Sequence, residues 1–141
     1  MTFPAFGKVT SLVIASSKTG GVLLHRAYGD EERASELLQA MIESSRSDGV
    51  LGGEEAEGRT SECFTSCFEG HNIVFQRVSD VLVYCSGNRE QNHARLAKVI
   101  ESFLLLLVDA FKKSVTEERI LKNYAKVCAL VEDVLNEGIV Q

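Results

Sequence analysis

The chain has 141 residues, enough for one domain with its own core, and its 45% hydrophobic and 25% charged residues are typical of a folded globular protein. Its formal net charge of −5 argues against a nucleic-acid-binding surface and against direct docking of this chain on anionic lipid. The four cysteines follow an N-terminus without a signal-peptide pattern, so we expect a cytoplasmic protein with reduced thiols.

The first third of the sequence predicts a hairpin followed by a helix. Residues 8–16 are nearly continuously apolar, which predicts a strand buried on both faces near the centre of a sheet. Gly20 and Gly21 supply a turn, and residues 22–28 return as the second strand. Asp30 is the predicted N-cap of a helix that buries one face only. That face is formed by Ala34, Leu37, Leu38, Met41 and Ile42.

The middle of the sequence predicts a loop and three strands. The glycine-rich, acidic stretch 44–59 is expected to be a flexible surface loop inside a single domain that spans residues 1–141. The strands that follow are predicted at 60–68, 73–78 and 81–86.

Two helices are predicted between Gln91 and Gln141, and the first, which ends near Lys112, is apolar nearly all round. One stripe at helical spacing contains Leu96, Ile100, Phe103, Leu107 and Phe111, and further apolar residues lie beside it. The run is too short to span a membrane, which needs ~20 apolar residues. We therefore expect a partner protein to cover the outer side of this helix. The predicted interface residues are Leu104, Leu105, Val108 and Lys112.

The last helix is predicted to begin at a Ser114 or Thr116 cap, to bury a stripe that runs from Ile120 through Tyr124 to Leu135, and to end in a left-handed turn at 136–138. The element order is thus β-β-α-β-β-β-α-α. It predicts an α+β fold with a five-stranded, mostly antiparallel sheet, one helix on one face and two helices on the other.

No catalytic, cofactor or metal site is predicted. His25, His71 and His93 share no metal-ligand spacing. Cys63 and Cys67 lie on one strand face roughly 13 Å apart, too far for a disulfide, and are expected to be small buried residues. Cys85 is the best-placed thiol for a nucleophile, but no base accompanies it. The sequence therefore favours an interaction protein without a small-molecule substrate.

Three stretches resemble the longin-type small chains of heterotetrameric coat adaptors: the clathrin adaptor sigma chains, coatomer zeta and the TPLATE/TSET small chain. Gly20 to Tyr28 is similar to the family's second strand, and Ile73 to Tyr84 to its fourth and fifth strands. Val115 to Val140 is most similar to the zeta pattern. The resemblance covers nearly the whole chain except 44–59. It implies a longin-like fold and a non-catalytic subunit that packs against a large chain, pairs with a medium chain, and reaches membranes only through the coat.

The resemblance also implies where a dileucine sorting signal would bind. Sigma chains place an arginine on the second strand at that site, whereas the matching residue here is Leu23. The matching hydrophobic-pocket positions are Ser79, Val81, Leu104 and Ser114, which are more polar or bulkier than the family pattern. The departures favour a structural role in the coat over cargo recognition.

Two alternatives stay open at this point. One is a free-standing longin regulatory domain that acts on a small GTPase or on fusion machinery. The other is a profilin-like or small-molecule-binding domain. Purification of the chain with or without coat subunits would separate them from the adaptor hypothesis.

Overall fold

The computed structural model describes residues 8–28, 33–49, 63–136 and 139–140, and the predicted order of the main elements is confirmed. The strands of the main sheet are β1 (Val9–Ser16), β2 (Val22–Ala27), β3 (Cys63–Phe68), β4 (His71–Val78) and β5 (Val81–Gly87). The helices are α1 (Ala34–Ser47), α2 (His93–Phe111), α3 (Glu117–Lys122) and α4 (Tyr124–Val134). A short pair, β6 (Leu135–Asn136) and β7 (Ile139–Val140), follows α4.

The five strands form one antiparallel sheet in the order β2-β1-β5-β4-β3. All seven residues of β5 are buried, because this central strand has a neighbour on each side and helices on both faces. β1 lies directly beside it and is buried along seven of its eight residues, as its apolar sequence predicts.

Two separate cores lie on the two faces of the sheet, which confirms the predicted α+β architecture with helices on both faces. The smaller core joins Leu37 and Met41 of α1 to Val13, Phe75 and Tyr84. The larger core joins the other face to α2, α3 and α4. Alternate residues of β1 serve the two cores, as the two-residue period of a strand requires.

The predicted end of α1 is wrong, and its predicted beginning lies outside the described residues. The helix begins at Ala34, with Arg33 in the N-cap position and no side-chain cap, whereas the predicted cap Asp30 lies outside the described residues. At its other end α1 runs through Ser47, so the first residues of the predicted 44–59 loop are helical, and 50–59 lie outside the described residues. Ser45 explains the extension, because its buried hydroxyl lies 2.7 Å from that of Tyr84 and holds this turn on the sheet.

The single helix predicted for the C-terminal part is two helices. Thr116 caps α3, because its Oγ1 accepts a hydrogen bond from the Arg119 amide at 3.3 Å. The helix is interrupted at Asn123, and α4 begins at the next residue. The break interrupts the helical period, so Tyr124 does not continue the buried stripe and is 46% exposed. α4 then ends at Val134, two residues before the predicted stop, and residues 137 and 138 lie outside the described residues.

β3 has the predicted faces but not the predicted burial. Phe64 and Phe68 pack toward α1, and Cys63 and Cys67 point to the opposite face. Both cysteines are exposed, so the expectation that they are buried is wrong. The reason is position in the sheet, since β3 is at an edge and α2 packs on β4 and β5. Across the described ranges, no helix has the length and apolar content that crossing a bilayer would require.

Candidate interaction surface

α2 is the longest helix and is fixed at both ends. The Asn92 side chain accepts a hydrogen bond from the Arg95 amide at 2.9 Å and caps the N-terminus of the helix, just before its first buried residue, Leu96. His93 Nε2 donates to the Ser66 carbonyl of β3 at 2.9 Å, so the first turn is tied to the sheet edge. The helix ends at Phe111, and its C-cap residue Lys112 has a left-handed backbone with φ 57°. The inner face buries Leu96, Val99, Ile100, Phe103 and Leu107.

The outer face of α2 leaves large aliphatic side chains in solvent. Leu105 is 65% exposed and Val108 is 49% exposed, while Leu104 is half-buried against the core. These three residues line a groove of about 350 Å³ between α2 and the β3–β4 edge. The complete described lining, here called the α2–β3 groove, is Cys63, Gln76, Ala97, Glu101, Leu104, Leu105 and Val108.

Charge is distributed unequally along this surface. Glu101 is the only charged residue among the described lining residues of the α2–β3 groove. Two causes raise the pKa of the Cys63 thiol: partial burial is the larger and the nearby Glu101 carboxylate is the smaller. Cys63 is therefore a neutral thiol at physiological pH. Val108 also borders a second depression of about 380 Å³ that carries Asp109, Lys112 and Lys113. The predicted interface residue Lys112 therefore lies one step beyond the groove, on the same side of α2.

The five positions matched to a sorting-signal pocket are only partly brought together. Val81 pairs with Ser16 of β1 and is wholly buried, and Ser79 lies in the β4–β5 turn with φ 56°. The neighbouring Asp80 accepts from the Glu117 amide at 2.8 Å, which places this turn beside the connection between α2 and α3. Ser114 lies in that connection.

The remaining two positions, Leu23 and Leu104, lie on β2 and α2. Leu23 is half-buried on β2, with β1 between it and β5. Leu104 lines the α2–β3 groove, whereas Ser114 borders the second depression. Ser114 is also engaged locally, since its carbonyl and hydroxyl accept from Arg119 Nη1 at 2.6 and 2.9 Å. The sorting-signal pocket at these five positions stays a prediction.

Two residues that could carry out chemistry, His71 and Cys85, are engaged in a hydrogen bond and in core packing respectively. His71 Nδ1 lies 3.2 Å from Thr10 Oγ1. The pKa of His71 is lowered mainly by burial and to a smaller extent by the nearby positive charge of Arg33. Cys85 is wholly buried, and burial raises its pKa far above the ordinary value, so it is an unreactive thiol. The part of the chain that the structure describes contains no cluster of three or more residues able to hold a metal ion.

Four members of the groove were absent from the predicted interface: Cys63, Gln76, Ala97 and Glu101. Glu101 was detectable, because it lies four residues from both Ala97 and Leu105, on one helix face. Cys63 and Gln76 were not, because they join the groove only through the pairing of β3 with β4, which local sequence patterns do not specify.

Comparison with known proteins defines the class. The family model "Clathrin adaptor complex small chain" matches residues 9–141, and the chain belongs to this family. The family consists of subunits of adaptor and coat complexes, which confirms the resemblance identified from the sequence.

Two individual similarities accompany the family match. The chain is 25% identical over 73 residues to coatomer subunit zeta-1 of Oryza sativa subsp. japonica, an alignment that covers 52% of this chain and 41% of the relative. The chain thus spans about two fifths of the length of that relative. Among solved structures, the Roadblock/LC7 domain from Streptomyces avermitilis superimposes with a TM-score of 0.45 and 17% identity, covering 72% of this chain and 87% of that domain.

Proposed function

We propose that the chain is the non-catalytic small subunit of a heterotetrameric vesicle-coat adaptor complex. In this proposal a large subunit covers the outer side of α2 at Leu104, Leu105, Val108 and Lys112, and a medium subunit completes the complex. The family and the coatomer relative support a coat role. The single observation that carries the interface is the pair of exposed aliphatic side chains on a helix whose inner side already fills the core.

The physical argument concerns the surface that this helix leaves in water. Burial of a leucine or valine side chain contributes at most roughly 1.5–3 kcal/mol each. Leu105 and Val108 lie three residues apart, so they are neighbours on one helix face. A partner that covers both therefore gains apolar burial at a single place, which is where binding energy in interfaces tends to concentrate.

The proposal assigns the chain to the cytoplasm, peripherally associated with membranes through its partners. The net charge of −5 supports an indirect membrane contact, because anionic lipid attracts basic rather than acidic surfaces. The role is structural rather than cargo-binding, and this is supported by the complete burial of Val81 and by a leucine at position 23 where sigma chains carry arginine.

The test is affinity purification of the tagged chain from cells that express it, followed by mass spectrometry. The expected result is recovery of one large chain, a second large chain and a medium chain of the same coat. Leu105→Asp places a charge in the interface and should lower recovery of the large chain at least tenfold. The matched control is Leu121→Asp, because Leu121 is 53% exposed on α3, away from the groove.

Each outcome decides the proposal. Recovery that survives Leu105→Asp would mean that the large chain binds elsewhere. Recovery of a small GTPase or fusion protein without adaptor chains would favour the free-standing longin regulator instead. A lone, fully soluble chain with no partner would contradict both readings.

A further inference from the structure

The two edges of the sheet are protected very differently. At one edge, β2 carries a register shift opposite Ile14 and Ala15, and its Arg26 forms an ion pair with Glu132 of α4. Bulges and charged residues are the devices that keep a sheet edge from pairing with other chains. This edge therefore has two of them.

The other edge, β3, has none of these devices. Its sequence, Cys63–Phe68, contains no charged residue and no proline. It pairs with β4 through six consecutive residues without a shift, so the strand is regular along its length. Within the described residues β4 is its only strand neighbour. A regular, uncharged edge strand is a template for another strand.

The α2–β3 groove lies along the same edge. Cys63, Thr65 and Cys67 are exposed on the face of β3 that looks toward α2. Alternate side chains of an added strand would point to that face and reach the aliphatic wall formed by Leu105 and Val108. Backbone hydrogen bonds would then supply affinity and the groove would supply specificity, as in other cases of strand addition.

The charge of the groove constrains the occupant. Glu101 is the only charge among its described lining residues, so an acidic segment would be repelled and a basic side chain at this point would be attracted. The remaining lining is apolar or neutral, which favours aliphatic side chains on the same face of the occupant.

From these observations we infer that a coat partner binds this chain by adding an extended segment to β3. The segment places aliphatic side chains against Leu105 and Val108 and a lysine or arginine opposite Glu101. The inference rests on the proposed function, because the occupant is a segment of the coat partner, and it adds the conformation and the chemistry of what that partner presents.

The experiment compares two lysine substitutions at opposite edges, in the full chain co-expressed with the large coat chain. Thr65→Lys introduces an edge charge on the exposed face of β3, and Val22→Lys, at a 44% exposed position, does the same on β2. Thr65→Lys should weaken binding at least tenfold, and Val22→Lys should leave it within twofold. Thermal unfolding of both free variants checks that each one folds.

Backbone hydrogen exchange of the purified complex gives the second measurement. Strand addition should slow exchange of β3 amides relative to the free chain, with β2 amides unchanged. A complex that forms with unchanged β3 exchange and tolerates Thr65→Lys would overturn the inference and leave the proposed function standing. A free chain that dimerises through β3 would replace the partner by a second copy and also overturn it. Absence of any coat complex would instead remove the proposed function.

Discussion

α1 and α2 each cover one face of the same sheet, but only α1 has all of its large hydrophobic side chains covered by the rest of the chain. α1 buries Leu37, Met41 and Ser45 and leaves no large hydrophobic side chain exposed. α2 buries five apolar residues and still leaves Leu105 and Val108 in solvent. α2 therefore carries more apolar surface than this domain can bury, which we call the surplus of α2. The surplus belongs to the helix itself and does not come from loose packing of the domain.

The origin of the surplus lies in four consecutive leucines, Leu104–Leu107 in the sequence. Successive residues of an α-helix are rotated by roughly 100°, so four of them point in almost every direction. Leu107 is wholly buried and Leu105 is 65% exposed, with Leu104 and Leu106 between these extremes. One sheet face cannot cover all four, whatever the exact packing.

The largest expected effect separates the two sides of α2. Phe103→Ala removes a wholly buried aromatic ring and should lower the free energy of unfolding by about 3–5 kcal/mol. Leu105→Ala should change it by no more than about 0.5 kcal/mol, because most of that side chain is already in water. Urea denaturation followed by circular dichroism measures both. Equal losses would mean that Leu105 is buried in the free chain and that no surplus exists.

The sequence was sufficient to predict the element order, the layers and the unusual helix, because these depend on hydrophobic periodicity within single segments. It did not predict the break at Asn123, since both halves of that stretch carry apolar residues at helical spacing and only packing on β2 and α2 separates them. The end of α1 was placed too early because Ser44–Ser47 have no apolar stripe, and the contact that holds this turn is between Ser45 and Tyr84, two residues far apart in the sequence.

The exposure of Cys63 and Cys67 shows the same limit for the candidate interaction surface. Their alternation with Phe64 and Phe68 was correct, but burial depends on which strand forms the sheet edge. Edge position follows from pairings between distant segments, such as β1 with β5. The α2 side of the groove could therefore be predicted from the sequence, whereas the β3 side could not.

A smaller effect on the free energy of unfolding is expected on the face of the sheet that α1 covers. Tyr84→Phe removes the hydroxyl that lies 2.7 Å from Ser45 and should cost about 0.5–1.5 kcal/mol at pH 7. Burial raises the pKa of Tyr84 from 10.0 to about 12. Because the folded pKa is the higher one, the stabilisation is complete below pH 10 and is lost as the pH rises from 10 to 12, by up to ~3 kcal/mol.

The measurement is the difference in unfolding free energy between wild type and Tyr84→Phe as a function of pH. The wild type should be the more stable protein at pH 7 and should lose that advantage in alkaline solution. Tyr124→Phe is the control, because Tyr124 is 46% exposed and the loss of its hydroxyl should change the free energy of unfolding at pH 7 by no more than about 0.5 kcal/mol. A difference that does not vary between pH 9 and 12 would contradict the burial of the Tyr84 hydroxyl.

The smallest expected effect concerns the exposed side of α2 and is a change in the alkylation rate of Cys63. The Glu101 carboxylate contributes, after burial, to the raised pKa of the Cys63 thiol across the α2–β3 groove. Glu101→Gln should therefore lower that pKa and speed alkylation of Cys63 by iodoacetamide near pH 8, because the thiolate is the reacting form. Peptide mass spectrometry resolves Cys63 from the other thiols, and Glu90→Gln, before the N-cap of α2, is the charge-matched control. An unchanged rate would place Glu101 too far from β3 to set the charge of the groove, and would remove the argument for a basic residue in its occupant.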